Sequence, residues 1–351
     1  MRKKARDLGI KIGKLPTGKK NCITDVKGVK VGHVTLDYEL GKEGDYACTG
    51  VTAILPHDGN LFQNKVTAAS YVINGFGKSA GLIQVNELGV IESPIMLTNT
   101  FSVPQVTQGT LEYMLETNED IGIKTGTINI VVGECNDSHL NSIRACPVKP
   151  EHAKKAIEEA SNEVAKEGAV GAGKGMICFG YKGGIGSSSR IVKVENTDMS
   201  FTIGCMVLTN FGKSSEFLKE NYIISNAQPK STISPTDGSI MIVLATDAPL
   251  SSRQLTRVIK RCSVGLGRTG SYFAHGSGDV VIGFTTAHDI PHSTNKVIES
   301  HTQLREDHPV MNELFAATAE ATEEAIINSL SQAETTSGRD GNVVQAYEFI
   351  K

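Results

Sequence analysis

The sequence contains no tryptophan, and aromatic residues make up 5% of it. It has no long block of basic residues, and its formal net charge is −3. No apolar run approaches the roughly 18 residues of a membrane-spanning helix. These absences argue against a nucleic-acid partner, an anionic membrane surface and a transmembrane segment.

Seven cysteines are present, but they are scattered and no two form a C-x-x-C pair. An odd, dispersed set favours reduced thiols over a disulfide framework or a zinc site. The N-terminal stretch MRKKARDLGIKIG is basic, but no apolar stretch follows it as in a secretory signal. We therefore expect a cytoplasmic protein that holds no metal.

Short apolar runs typical of buried strands dominate the chain, with a few helical stretches between them. The strand-like runs cover residues 50–55, 127–132, 176–179, 202–208, 240–245 and 279–284. Helices are predicted over residues 150–167, from a capping box at Ser251 and Gln254, and over residues 311–332. Since strands and helices do not alternate strictly, we expect stacked sheets with helices outside, in one domain over residues 1–351. The polar stretch 226–235, with two prolines, is expected to be an exposed loop.

Three short motifs imitate cofactor or metal sites. GLGRTG (265–270) matches the dinucleotide fingerprint, but a predicted helix precedes it and a strand follows, the reverse of the required order. GAVGAGKG (168–175) imitates a phosphate-binding loop, but Gly175 replaces the Ser or Thr that would hold magnesium. His288 and His292 have a proline between them, which argues against a shared helical face. No cofactor is therefore expected.

One serine stands where a turn meets a buried strand. In ISPTDGSIMIVLATDAPL (233–250), Ser239 follows Gly238 and precedes the apolar run. A serine nucleophile needs a base, and an α-amino group with a pKa of about 8 can serve. Cleavage of the Gly238–Ser239 bond would give Ser239 such an amine, and glycine lets a hydroxyl approach its carbonyl. The same pattern also fits an ordinary turn.

Four polar side chains near other strand ends could complete a hydrolytic site. In HGSGDVV, Ser277 and Asp279 lie two residues apart and can point to one side of a strand, although a glycine-rich turn has the same composition. Asn210 ends a strand in VLTNFG, where its amide could stabilise an oxyanion or simply form a turn. Glu134 follows a buried strand in VVGECND and could pair with a substrate ammonium group or lie on the surface.

Together these features resemble the D-aminopeptidase/β-peptidyl aminopeptidase family, whose relatives include enzymes that cleave nylon oligomers. The resemblance covers nearly the whole chain, and its motifs are ITDVKGVKVGHVT (23–35), GVTAILPH (50–57), NGFGKSAG (74–81), PIMLTNT (94–100), VVGECND (131–137), GAGKGM (171–176), KGGIGSSSR (182–190), VLTNFG (207–212), DGSIMIVLATDAPL (237–250), GLGRTGS (265–271), HGSGDVVIGFTT (275–286), EATEEAIINSL (320–330) and SGRDG (337–341). The resemblance implies an α/β fold, a four-layer αββα sandwich with two stacked mixed sheets between helix layers.

The resemblance also implies a self-processing serine aminopeptidase or amidase of the N-terminal-nucleophile kind. The chain would cut itself between Gly238 and Ser239 into residues 1–238 and 239–351. Ser239 would then form an acyl-enzyme with a small peptide, amide or ester that has a free amine. Ser277 and Asp279 match the family's serine/acid pair, Asn210 matches its oxyanion-hole residue, and Glu134 matches the acid that holds the substrate amine. A homo-oligomer, in the family a tetramer, is implied as well.

The sequence departs from the family pattern near the implied substrate pocket. Asp279 stands where β-peptide-cleaving relatives have Glu, Lys78 stands where relatives often have Glu, and no Tyr lies near His139. Preference among L-, D- and β-amino acids therefore stays open. Two other functions also stay open: an acyltransferase related to ornithine acetyltransferase, whose nucleophile is a threonine, and an uncleaved, inactive binding protein of the same fold.

Overall fold

The fold consists of two stacked sheets between layers of helices, in a computed structural model that describes residues 2–222 and 238–349. The loop expected over residues 226–235 lies outside the described residues. The strands are β1 (Lys30–Glu39), β2 (Tyr46–Leu55), β3 (Asn64–Gly75), β4 (Val90–Ile91), β5 (Ile95–Asn99), β6 (Val131–Cys135), β7 (Ile177–Cys178), β8 (Tyr181–Lys182), β9 (Gly184–Lys193), β10 (Ser200–Asn210), β11 (Ser239–Thr246), β12 (Gly278–Pro291), β13 (Thr336–Ser337) and β14 (Val343–Val344).

Both large sheets are mixed. One has four strands in the order β1-β2-β5-β6, and the other has six in the order β4-β3-β12-β11-β10-β9. The pairs β5–β6 and β11–β12 are parallel, and the other neighbours in these two sheets are antiparallel. The pairs β7–β8 and β13–β14 form two small sheets.

Helices cover the outer faces of both sheets. The described helices are α1 (Leu82–Leu88), α2 (Val103–Thr117), α3 (Pro150–Glu158), α4 (Ser252–Ile259), α5 (Cys262–Arg268) and α6 (Val310–Gln332). Helix α1 differs from the others, since its buried Val85 packs in the cluster between the sheets. Helices α2 and α3 share an apolar cluster with the four-stranded sheet, whereas α4, α5 and α6 share one with the six-stranded sheet. A third cluster lies between the two sheets. The αββα sandwich expected for this chain is therefore confirmed.

Strand β11 shows why the sequence forms a buried central strand. Side chains alternate between the two faces of a strand. Met241 and Val243 accordingly belong to the cluster between the sheets, while Ile242 and Leu244 belong to the cluster beneath the helices. Because both faces are covered, the strand is apolar throughout its interior rather than alternating.

The predicted helices form, but two of them differ from expectation. Ser251 caps α4 as predicted, since its hydroxyl accepts from the Gln254 N–H and the Gln254 side chain accepts from the Ser251 N–H. The first helix ends at Glu158 rather than residue 167, because Ser161 pairs its backbone with Val31 of β1. Helix α6 is buried on nearly all sides instead of along one apolar face.

Two of the polar residues buried on α6, Glu320 and Glu324, are paired in an ion network. Arg190 of β9 is fully buried and donates to Glu320 at 3.1 Å and to Glu324 at 2.7 Å. Arg6 of the N-terminal segment also pairs with Glu324, at 2.9 Å. Buried carboxylates are tolerated when they are paired in this way.

Candidate active site

The ends of three neighbouring strands in the six-stranded sheet bring four of the predicted residues together. These are Asn210, Ser239, Ser277 and Asp279. Asn210, the last residue of β10, is the register partner of Ser239, the first residue of β11. Ser239 is in turn the parallel partner of Gly278, the first residue of β12. Ser277 and Asp279 flank Gly278 in the chain, so both lie beside the start of β11.

The Ser239 hydroxyl contacts the carbonyl group that precedes it. Its Oγ donates to the Gly238 carbonyl oxygen at 2.6 Å. The backbone N–H of Gly278 donates to the same carbonyl oxygen, with a nitrogen–oxygen distance of 3.1 Å, and also lies 3.3 Å from Ser239 Oγ. The Ser239 hydroxyl, the Gly238 carbonyl group and a donor for the carbonyl oxygen are therefore together at this peptide bond.

Gly238 is required at this position by the close approach of another backbone. A Cβ on Gly238 would lie 2.9 Å from Phe211 Cα, 3.1 Å from Phe211 Cβ and 3.2 Å from the Asn210 carbonyl oxygen. Lack of space for a side chain therefore favours glycine here.

Ser277 and Asp279 form a buried hydroxyl–carboxylate pair. The Ser277 Oγ donates to Asp279 Oδ1 at 2.6 Å, and the two residues are 4% and 1% exposed. Burial raises the pKa of Asp279 to about 6, even though the Ser277 hydrogen bond acts in the opposite direction. The carboxyl group can therefore change its protonation state near neutral pH.

The Asn210 amide is fixed by two backbone groups from two different loops. Its Oδ1 accepts from the Ile177 N–H at 2.9 Å, and its Nδ2 donates to the Asn136 carbonyl at 2.8 Å. These contacts fix which end of the amide is the donor. Because Nδ2 has two protons and this bond uses one, the other can serve a second acceptor.

Glu134 reaches the site from the four-stranded sheet. It lies on β6, is 3% exposed, and accepts from the Lys78 backbone N–H at 2.8 Å and from the Thr100 hydroxyl. A Cβ placed on Gly77 would lie 3.5 Å from Glu134 Oε1 and 3.8 Å from Gly278 Cα. Gly77 therefore lies in the narrow space between the Glu134 carboxylate and Gly278, the strand partner of Ser239.

Some contacts of this site have no signal in the sequence. The Gly278 N–H and the Lys78 N–H are backbone groups, so residue type says nothing about their contacts. Asn74 donates to the Ala274 and His275 carbonyls, each at 3.1 Å, and so holds the turn before Ser277. Asn74 lies in NGFGKSAG, one of the motifs that carry the family resemblance.

None of the three imitation motifs contains a predicted site residue. Residues 265–268 of GLGRTG belong to helix α5, and GAVGAGKG includes a short 3-10 turn at Gly171–Gly173. His288 contacts Thr67 and the Thr302 carbonyl, while the His292 ring packs on Phe62 with a centroid distance of 4.2 Å.

Within residues 2–222 and 238–349, no group of three or more His, Cys, Asp or Glu is arranged to hold a metal ion. No described helix is both long and apolar enough to span a membrane.

Comparisons with known proteins show the family and the fold of this chain. The model of peptidase family S58 matches residues 21–344. A beta-peptidyl aminopeptidase, BapA of Sphingosinicella microcystinivorans, is 37% identical over 97% of this chain and 89% of its own length.

Two solved structures share the fold. The PH0078 protein of Pyrococcus horikoshii OT3 is 50% identical, with a TM-score of 0.88 over 98% of this chain and 96% of that one. The L-aminopeptidase D-Ala-esterase/amidase of Ochrobactrum anthropi, described as a variant of the Ntn hydrolase fold, is 31% identical, with a TM-score of 0.89 over 99% of this chain and 96% of that one.

Proposed function

The chain belongs to peptidase family S58, and from that membership together with the geometry around Ser239 we propose that it is an aminopeptidase that activates itself by cutting its own chain. It is a hydrolase of the aminopeptidase type with an Ntn-hydrolase fold. The observation that carries the proposal is the contact of the Ser239 hydroxyl with the Gly238 carbonyl, to which the Gly278 N–H also donates. In this proposal one domain is cut into residues 1–238 and 239–351.

Self-cleavage would begin as an acyl shift at the Gly238–Ser239 bond. The Ser239 Oγ attacks the Gly238 carbonyl carbon, and negative charge develops on the carbonyl oxygen that the Gly278 N–H contacts. The carbon–nitrogen bond then breaks, and the nitrogen takes the proton that Oγ gives up. Water hydrolyses the resulting ester, which leaves a carboxylate on Gly238 and a free α-amine and hydroxyl on Ser239.

The same groups would then act on a substrate. The α-amine of Ser239 accepts the Oγ proton, since its ordinary pKa of about 8 suits a base at neutral pH. Oγ attacks the carbonyl of the N-terminal residue, and the Asn210 amide donates to the oxyanion with its second proton. The leaving amine departs with a proton, and water releases the acyl group from Ser239. Ser277 and Asp279 orient the nucleophile and relay its proton.

Glu134 defines the substrate class in this proposal. A buried carboxylate beside the nucleophile can pair with a positively charged N-terminal amine, which fixes the first residue of a peptide, amide or ester. The matched relatives are a beta-peptidyl aminopeptidase and an L-aminopeptidase D-Ala-esterase/amidase. We propose that this enzyme likewise releases N-terminal residues, with β-amino acids among the candidates.

Two further parts of the proposal are supported by the surface and the cysteines. Val297, Ile298 and Ile83 are 99%, 82% and 89% exposed, which supports a homo-oligomer, in the proposal a tetramer, that would cover such residues. All seven cysteines are free thiols, and six are buried, which supports a reducing, cytoplasmic location.

The proposal is tested with Ser239→Ala and, as a control, Ser331→Ala. Ser331 is a buried serine on α6 that donates to the Asn328 carbonyl. Wild type and the control should give two bands in place of one at 37.5 kDa, and the smaller should begin Ser-Ile-Met-Ile. Ser239→Ala should stay uncut and hydrolyse no amino-acid p-nitroanilide. Cleavage of Ser239→Ala at residue 238, or a fully active intact wild-type chain, would contradict the proposal.

A further inference from the structure

A buried lysine without a place in the proposed chemistry lies behind the Asn210 amide. Lys182 ends strand β8 and is completely buried. Its Nζ donates to the carbonyls of Gly173 at 2.9 Å, Met176 at 2.7 Å and Gly183 at 2.8 Å. An ammonium group has three donors, so all of them are used on backbone carbonyls of one loop.

The loop that Lys182 holds carries the donor that orients Asn210. Residues 173–183 reverse direction, and the Gly183 N–H donates back to the Met176 carbonyl at 3.1 Å. The Met176 carbonyl and the Ile177 N–H belong to the same peptide unit. Lys182 contacts the oxygen of that unit, and Asn210 Oδ1 contacts its nitrogen at 2.9 Å. The position of the amide is therefore tied to the ammonium through a single rigid peptide plane.

The second loop that holds Asn210 is also anchored by a buried titratable residue. Asp137 follows Asn136, whose carbonyl accepts from Asn210, and the Asp137 carboxylate accepts from Asn141 at 2.9 Å. A Cβ on Gly175 would lie 2.8 Å from Asp137 Cβ, so the two loops pack directly against each other. Burial lowers the pKa of Lys182 and raises the pKa of Asp137, each to about 7. These two buried titratable groups lie in two loops that meet at one amide.

We infer that Lys182 is a positioning residue for catalysis: its ammonium fixes the Met176–Ile177 peptide unit, which in turn aims the Asn210 amide at the oxyanion. The inference rests on the oxyanion role given to Asn210 in the proposed function. Lys182 itself touches neither the nucleophile nor the substrate, so it acts through Asn210 alone. Its loss should therefore weaken stabilisation of the transition state and leave substrate binding nearly unchanged.

The test is a double-mutant cycle with Lys182→Met, Asn210→Ala and the combined variant. Displacement of a catalytic group by about 1 Å can cost about 10²-fold in rate. Lys182→Met should therefore lower kcat per cleaved molecule for a p-nitroanilide by about 10- to 10²-fold, while KM changes little. In the Asn210→Ala background, Lys182→Met should have almost no further effect on kcat. Equal losses in both backgrounds would overturn the inference.

Two further variants separate positioning from loss of stability. Lys182→Gln keeps an NH₂ group with two donors, and its rates should lie between those of wild type and Lys182→Met. Asn328→Ala removes two buried hydrogen bonds at 2.8 and 2.9 Å, to the Ser187 carbonyl and from the Ala5 N–H, without touching Asn210 or Lys182. This control should lower the melting temperature without lowering kcat. A kcat loss in Asn328→Ala equal to that in Lys182→Met would contradict the inference.

The cycle also separates this inference from the proposed function. If wild type neither cuts itself nor hydrolyses any aminoacyl p-nitroanilide, the proposed function fails. If wild type does both, and folded Lys182→Gln or Lys182→Met matches its kcat, the positioning role of Lys182 fails alone. Should Lys182→Met stay uncut although folded, Asn210→Ala must be uncut too; normal cleavage of Asn210→Ala would then reject the inference.

Discussion

Gly238→Ala should slow self-cleavage through sterics alone. The new Cβ would lie 2.9 Å from Phe211 Cα and 3.1 Å from Phe211 Cβ. Ordinary carbon–carbon contacts lie at about 3.5–4.0 Å, so the peptide at 238 must move by roughly half an ångström or more. That movement displaces the carbonyl from both Ser239 Oγ, now 2.6 Å away, and the Gly278 N–H, now 3.1 Å away. Misplacement of about 1 Å can cost about 10²-fold in rate, so we expect cleavage to slow by about 10- to 10²-fold.

The assay follows the conversion of the full-length chain into two fragments on denaturing gels after rapid purification. The same samples are assayed for p-nitroanilide hydrolysis, and activity is divided by the concentration of cleaved chain. Because the mature enzyme has no bond between residues 238 and 239, Gly238→Ala should leave the activity per cleaved molecule close to wild type. Slow maturation combined with normal turnover is the signature of this mechanism.

Gly126→Ala is the matched control, since a Cβ on Gly126 would meet nothing within 4 Å. It should mature and turn over as wild type does. If Gly238→Ala matured at the wild-type rate, the contact with Phe211 would not set the position of the scissile carbonyl. If its activity per cleaved molecule fell as far as its maturation rate, the change would act on the mature site instead.

Two further predictions concern the buried carboxylates. Glu134→Gln should lower kcat/KM for substrates with a free amine by about 10- to 10²-fold, because a hydrogen bond to a charged group contributes about 1.5–3 kcal/mol. The kcat/KM for an N-acetylated substrate should change little. An equal loss of kcat/KM on both substrates would show that Glu134 does not bind the amine. Burial raises the pKa of Asp279 to about 6, so kcat/KM should rise with pH up to about 6 as the carboxylate that accepts from Ser277 forms. Asp279→Asn should lower the rate and abolish this inflection while the one from the α-amine, near 7.7–8.0, remains; an unchanged inflection near 6 in Asp279→Asn would assign it to another group.

The sequence predicts correctly the strands and helices whose formation depends on neighbouring residues in the chain. The apolar run 240–245 forms β11, and the capping box at Ser251 starts α4 where expected. Ser277 directly precedes β12 and Asp279 lies in it, and side chains two residues apart in an extended segment can point to one side. Their 2.6 Å contact follows from that spacing.

Features that depend on packing between distant segments cannot be predicted from local sequence. Helix α2 has Gly109 in its middle, a residue that weakens isolated helices, but a Cβ there would lie 2.1 Å from the Pro150 carbonyl at the start of α3. The absence of a side chain at Gly109 therefore allows α2 and α3 to pack in direct contact. Glu134 gives a similar case: its strand belongs to one sheet, while Ser239 lies in the other. No local sequence pattern indicates that the two sheets stack with the end of β6 close to the start of β11.

The position of the proposed cut also explains why the site could survive it. Strand β11 would begin at the new terminus, yet it lies between β10, from the first fragment, and β12, from its own. Arg190 of the first fragment is buried against Glu320 and Glu324 of the second. Separation would expose the apolar cluster they share and leave buried charges unpaired, and breaking such a pair alone costs about 3–5 kcal/mol. The new amine of Ser239 would therefore stay beside Asn210 and Gly278, because the sheet and the ion network, rather than the broken peptide bond, hold Ser239 in place.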